Sequence, residues 1–164
     1  MLESITLDGF NVTASIDAYL HHCLFRVDGV FDDYGEGMSY EIVNNNLIKI
    51  YDGLLINQGR FLRITPGTYE EIQIANGEVG VNRKDLIVAH FETDGDNEIH
   101  DIRVLQGSND GTTPEVTTSN TFNGGTINEV PLYLVSIEGI NIASVDKQFS
   151  KAVTFNDAVF YEED

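Results

Sequence analysis

Near the start of the chain, apolar side chains recur with helical spacing. Ile16, Tyr19, Leu20, Cys23 and Leu24 fall at i, i+3, i+4, i+7 and i+8 and share one face. Thr13 or Ser15 can cap the N-terminus, Asp17 suits the first turn, and Asp28-Gly29 ends the pattern. The spacing predicts one short helix that packs this stripe inward. Cys23 on it reads as a packed thiol, since nothing basic in the local sequence activates it.

From about residue 40 the period changes to two, the signature of strands. Leu47 to Tyr51 alternates, Asp52-Gly53 reads as a turn, and Leu54 to Asn57 follows as the next strand of a hairpin or meander. Gln58-Gly59 reads as a bend or bulge before Arg60 to Ile64. Pro66-Gly67 reads as the next turn, before the strand from Tyr69 to Ile74. Leu86 to Phe91 is apolar on both faces and suits a strand covered on each side. Asp94-Gly95-Asp96-Asn97 then predicts a hairpin into Ile99 to Gln106. A polar stretch to about Gly125 reads as a long loop, Pro131 to Ile137 as a strong strand, and Gly139 as the turn into Ile140 to Val145. These signals predict a mainly β fold, an antiparallel sandwich or barrel-like sheet of about seven to eight strands with one short N-terminal α-helix. Residues 1–149 form the expected domain, with 150–164 an acidic tail or appended strand.

Composition narrows the partners. The chain has 164 residues with 27 acidic and 9 basic side chains, a formal charge of −18, on a 41% hydrophobic background with nine Phe and seven Tyr. That is a charge excess on a folded body, and it excludes nucleic acid and anionic membranes as expected partners, because nine scattered cations release few counterions. Five of those cations, Lys49, Arg60, Arg63, Arg83 and Lys84, lie in residues 42–91, where five acids balance them. This neutral meander, with Arg60 and Arg63, is therefore the expected packing surface for copies or partner proteins, and the acidic parts are expected to face solvent. The single Cys23 excludes an intramolecular disulfide. With no apolar run of membrane-spanning length and no signal-peptide pattern at Met1 to Ser4, no membrane insertion and synthesis in a cytoplasm are expected, and the Asn11-Val12-Thr13 sequon reads as chance.

Candidate chemistry is sparse. His21 and His22 are adjacent and so point apart, which makes no i, i+4 metal pair. His90 lies opposite Asp101 to Arg103 if the hairpin centres near Asp96, so a His–Asp contact is expected as a strand neighbour, without a nucleophile motif to make it catalytic. Glu92, Asp94, Asp96, Glu98 and Asp101 form the densest acidic cluster. Asp94, Asp96 and Glu98 are the candidate ligands for a calcium ion, although no EF-hand spacing is present and a solvated hairpin tip explains the cluster without metal. No cofactor is otherwise expected. Tyr51, Tyr69 and Tyr133 are the candidate stacking residues of a carbohydrate-binding alternative in a chain without Trp.

The succession Leu7-Asp8-Gly9-Phe10-Asn11-Val12-Thr13-Ala14, Asp28-Gly29-Val30-Phe31, Asp52-Gly53 to Gly59-Arg60, Asn82-Arg83-Lys84-Asp85-Leu86-Ile87-Val88-Ala89 and Glu129-Val130-Pro131-Leu132-Tyr133 resembles tail or baseplate structural proteins of phages and prophages of Gram-positive bacteria. Its most specific piece, around Arg83 and Asp85, is similar to strand starts of tail-tip and fibre-base modules, and the similarity runs over about residues 5–149. The resemblance implies a non-enzymatic virion component, a homotrimer or another symmetric oligomer, that docks to other tail or baseplate proteins or to receptor-binding parts. Arg83 and Asp85 are then expected to pair locally or across a subunit. Related chains often continue into fibre or sugar-binding regions, which this chain, ending at Asp164, is not expected to supply itself.

Overall fold

The computed structural model describes residues 11–25 and 27–154. The acidic end from 155 to 164, and Leu7 to Phe10 of the resemblance, lie outside the described residues. One helix, α1 (Ala14–Phe25), precedes eight strands: β1 (Gly29–Phe31), β2 (Tyr40–Asn44), β3 (Leu47–Asn57), β4 (Arg60–Gln73), β5 (Asn82–Thr93), β6 (Glu98–Leu105), β7 (Ile127–Glu138) and β8 (Asn141–Lys147). They form two antiparallel sheets facing each other, so the mainly β, sandwich-like expectation holds.

In the first sheet β3 is central. β4 runs along one of its edges, while β2 and β1 share the other, β2 against the first half of β3 and β1 against the second. The second sheet has the order β6-β5-β7-β8. Between them lies one cluster that includes Ile48, Ile50, Leu55, Ile87, Leu132 and Val135, all essentially inaccessible to water. Each such side chain contributes about 1.5–3 kcal/mol relative to exposure. Phe149 joins this core, and the chain beyond it lies alongside β1: Val30 donates to the Ser150 carbonyl at 3.0 Å and Ala152 to the Val30 carbonyl at 2.8 Å. The described part of the expected tail is thus an appended extended segment.

Two turn assignments exchange places. Asp52-Gly53 does not turn the chain; it is a bulge inside the continuous strand β3, with Tyr51 opposite Tyr69 but Gly53 opposite Ile64. The bulge restores parity, since Ile50 and Leu55 both face the core at an odd spacing that an unbroken strand would send to opposite faces. Residues 65–68, including the expected Pro66-Gly67 turn, loop out from β4 opposite Asp52. The Gly67 amide donates to the Asp52 carboxylate at 3.1 Å, and the Glu36 and Met38 amides donate to the Asp52 carbonyl at 3.1 Å each. The reversal between β3 and β4 is made instead by Gln58-Gly59, with φ of 42° and 77°. Both central residues sit in the left-handed region, as two-residue hairpins that follow strand twist require.

Gln58 is an unfavourable residue there, and its surroundings hold it. Its amide donates to Asp28 Oδ1 at 2.6 Å, and its side chain donates to the Ser119 carbonyl at 2.6 Å and accepts from the Thr121 amide at 2.9 Å.

Beneath this turn, Asn128 donates to Asn57 Oδ1 at 2.8 Å and to Asp28 Oδ2 at 3.0 Å. A buried polar knot therefore joins the hairpin, the end of the α1 connection, β7 and the 107–126 loop. The expected long loop is present, and its Thr117 to Ser119 part pairs with the stretch of the β7 edge that β8 leaves open.

The helix lies on the outer face of the first sheet, where Phe25 packs with Phe31, Ile56 and Ala152. Its buried residue is Ala18. The expected apolar stripe is not the packed side: Tyr19, Leu20 and Leu24 are exposed, Leu24 at 60%, and Cys23 is an exposed free thiol. The reason is steric. Gly59 brings its backbone against that of Ala18, and only a small side chain allows the approach, so the helix seats on its narrow side.

Candidate functional site

The residues singled out by sequence separate into interior polar groups and surface groups. Arg83 and Asp85 belong to the interior. Arg83 Nε and Nη2 donate to the two Asp85 oxygens at 2.8 and 3.1 Å, its remaining donors reach the carbonyls of Ala75 at 2.7 Å and Asn76 at 3.1 Å, and Asp85 also accepts from the Gly107 amide at 3.1 Å. This is a local staple between β5, the turn before it and the start of the long loop.

Arg60 is likewise a correction. It is 8% exposed, its guanidinium lies 4.1 Å from the Phe91 ring centroid, and Nε and Nη2 both donate to Glu98 Oε1, at 3.1 and 2.8 Å. It joins β4 to β6 at one end of the sandwich and is not available to a neighbouring copy. Arg63 is exposed on β4.

Glu98 reports on that contact. Burial alone would raise its carboxyl, but Arg60 and then His100 outweigh this and hold it below its ordinary 4.5. A depressed carboxyl stabilises the fold at pH above its unfolded value, and that contribution disappears as pH falls through the folded one. Wild-type urea midpoints are therefore expected to decline as pH drops below about 4.5, and Glu98→Gln to lose that part of the decline while being less stable at pH 7. An identical acid profile in both proteins counts against the contact.

The three candidate calcium ligands do not converge. Asp94 Oδ1 accepts from the amides of Asn97 at 2.8 Å and Asp96 at 3.0 Å, which closes the hairpin tip and lowers the Asp94 carboxyl, while Glu98 turns to Arg60. Among the described residues no group of three or more His, Cys, Asp or Glu side chains is gathered to hold a metal ion.

His90 is buried and does lie opposite Asp101 in register, but its ring takes other partners. Nδ1 contacts Glu129 Oε1 at 2.9 Å and Nε2 contacts Glu92 Oε2 at 3.3 Å, while Asp101 accepts from Arg103 at 3.1 Å. Glu129 also accepts from the Thr117 amide at 2.7 Å. Both ring nitrogens thus face carboxylates. Glu129, Asn57 and Asn128 carry no local sequence signal, because their partners are far away in the chain.

Of the three tyrosines, Tyr133 is interior. It donates to the Met38 carbonyl at 2.6 Å, and burial, aided by Tyr40, pushes its hydroxyl up to about 12. Tyr51 and Tyr69 meet on the outer face of the first sheet with ring centroids 6.0 Å apart. Tyr51 donates to Glu41, and the Lys49 ammonium lies 4.1 Å from the centre of the Tyr69 ring.

The α1 stripe is among the exposed apolar residues. Leu20, Cys23 and Leu24 follow one another along its outward side, and Tyr19 leans on Phe122 at 5.2 Å. The eight residues from Ala18 to Phe25 contain no carboxylate in a chain where 27 of 164 residues are acidic. The strip is thus apolar and charge-poor on a chain of formal charge −18. No helix of the described residues is long and apolar enough to cross a membrane. The chain matches no protein-family model and no curated protein.

Proposed function

We propose that this protein is a non-enzymatic structural component that assembles symmetrically with its own copies, a tail or baseplate part of a phage or prophage of Gram-positive bacteria. The supporting observation is the outward apolar stripe of α1. Sequence alone would bury it, among the described residues it stays exposed, and a second copy supplies its cover. The consumption of Arg60, Arg83, Asp85 and His90 in contacts within the chain agrees with a structural role. The virion assignment rests on the resemblance of the turn and strand succession.

Sedimentation of the wild-type protein is expected to show a concentration-dependent oligomer, a trimer in the simplest arrangement. Leu20→Glu combined with Leu24→Glu is expected to weaken association by at least about tenfold, equivalent to about 1.4 kcal/mol. Because Leu24 is exposed, the folded subunit should remain, with single-site costs near 0.5 kcal/mol. A strict monomer at high concentration, with no peptides of this chain in virions by mass spectrometry, defeats the proposal.

A further inference from the structure

The two long seams of the sandwich are built differently. On one, the Tyr40 hydroxyl donates to the Val145 carbonyl at 3.0 Å and Asn45 donates to Asn141 at 2.9 Å, which stitches β2 to β8. On the other, Arg60–Glu98 closes only one end, and beyond it the sheets part into a cleft of about 360 Å³ between β4 and β6. Its floor is the core itself, with Met38, Leu55 and Ala89, each at most 2% exposed, reached from outside between Leu62 and Ile102. The size falls within the range of ligand clefts, about 300–1,000 Å³.

The walls indicate the kind of occupant. Among the described residues β4 pairs only with β3 and β6 only with β5, so each presents a strand edge along the cleft. Such rows of backbone donors and acceptors are satisfied by another strand and not by a small molecule. The rim is mixed but net acidic, with Arg63 and His100 lining it beside Glu70, Glu71 and Asp101. Glu70 lies on the same side of β4 as Ile72 and Ile74, the side that should face the core, yet it is exposed and lines the opening with Glu71. Among the described residues neither carboxylate enters an ion pair, whereas the nearby Asp101 is neutralised by Arg103 at 3.0 Å.

We infer that the β4–β6 cleft accepts an extended segment of a partner protein in which apolar residues alternate with Lys or Arg. The apolar side chains enter the cleft, and the cations meet Glu70 and Glu71. The same two carboxylates disfavour pairing between edges of two copies, which would bring four of them together. No residue lining the cleft belongs to α1, so this inference goes beyond self-assembly and stands apart from it.

The test uses the full chain and two labelled peptides of equal charge, Lys-Val-Lys-Val-Lys-Val-Lys and Lys-Ser-Lys-Ser-Lys-Ser-Lys, at physiological ionic strength. The valine peptide is expected to bind at least about tenfold more tightly by fluorescence anisotropy and to slow amide hydrogen exchange in β4 and β6. Glu70→Lys with Glu71→Lys is expected to abolish that preference. Equal affinity for the two peptides would mean general attraction to an acidic surface and would overturn the inference, as would protection confined to other strands. Protection of the β4 and β6 edges that rises with protein concentration alone would assign the cleft to a second copy, and would overturn it too.

Discussion

Asp85→Ala is expected to cost about 3–5 kcal/mol, the usual penalty for stranding one member of a buried ion pair. Asp85 is fully buried and Arg83 nearly so, and the guanidinium cannot shed its charge. Without the carboxylate, Arg83 keeps only the carbonyls of Ala75 and Asn76, and the Gly107 amide loses its acceptor. For a domain of ordinary stability, about 5–15 kcal/mol, that is a large share. The urea midpoint should fall at unchanged slope, which separates lost stability from a changed unfolded state. Arg83→Met with Asp85→Leu should lose less than Asp85→Ala, since no charge is left buried, although two carbonyls and one amide remain without their partners. If Asp85→Ala costs under about 1 kcal/mol, within the range of an exposed pair, the staple is not what holds β5 to its neighbours.

What the sequence made legible was whatever depends on short-range pattern. The apolar run from Leu86 to Phe91 is β5, and the turn after it sets the register that places Asp101 opposite His90. Period and turn chemistry suffice there because both strands of the hairpin are local. The exchange between Asp52-Gly53 and Gln58-Gly59 shows where such reasoning stops. Asp-Gly is a good hairpin pair, yet here it serves a bulge because Asp52 has tertiary duties to Gly67, Glu36 and Met38. Gln-Gly is a poor one, yet Asp28, Ser119 and Thr121 hold it in place. None of these partners is adjacent in sequence, so no local signal could rank the two sites. The same applies to Arg60, which sequence placed on a neutral surface. Its partner Glu98 comes from the other sheet, and a guanidinium stacked on Phe91 has no signature in the pattern of residues around it.

The helix gives the sharpest test of this difference, through Gly59→Ala. Gly59 has φ of 77°, and a Cβ there would fall 1.7 Å from the Ala18 carbonyl oxygen and 2.8 Å from the His22 amide nitrogen, both backbone atoms of α1. The substitution adds left-handed strain of about 1–2 kcal/mol and an overpacking cost of about 1–3 kcal/mol, or it forces the helix off the sheet. Gly80→Ala is the matched control, since its φ is 80° and nothing lies within 4 Å of the added carbon. It should cost only the backbone strain. The excess of Gly59→Ala over Gly80→Ala therefore measures the seating of α1, and proteolysis within residues 11–25 should speed up only in the first variant. The contacts of Phe61 with His21 at 4.9 Å and Phe25 at 5.6 Å would be lost with the helix. Equal costs in the two variants would mean that α1 does not rest on this glycine. The consequence reaches assembly, because Leu20 and Leu24 form a continuous outward stripe only while Ala18 is pressed against the hairpin. On the proposed self-assembly through this stripe, a chain that loosens α1 should therefore also lose association, even with every residue of the stripe intact.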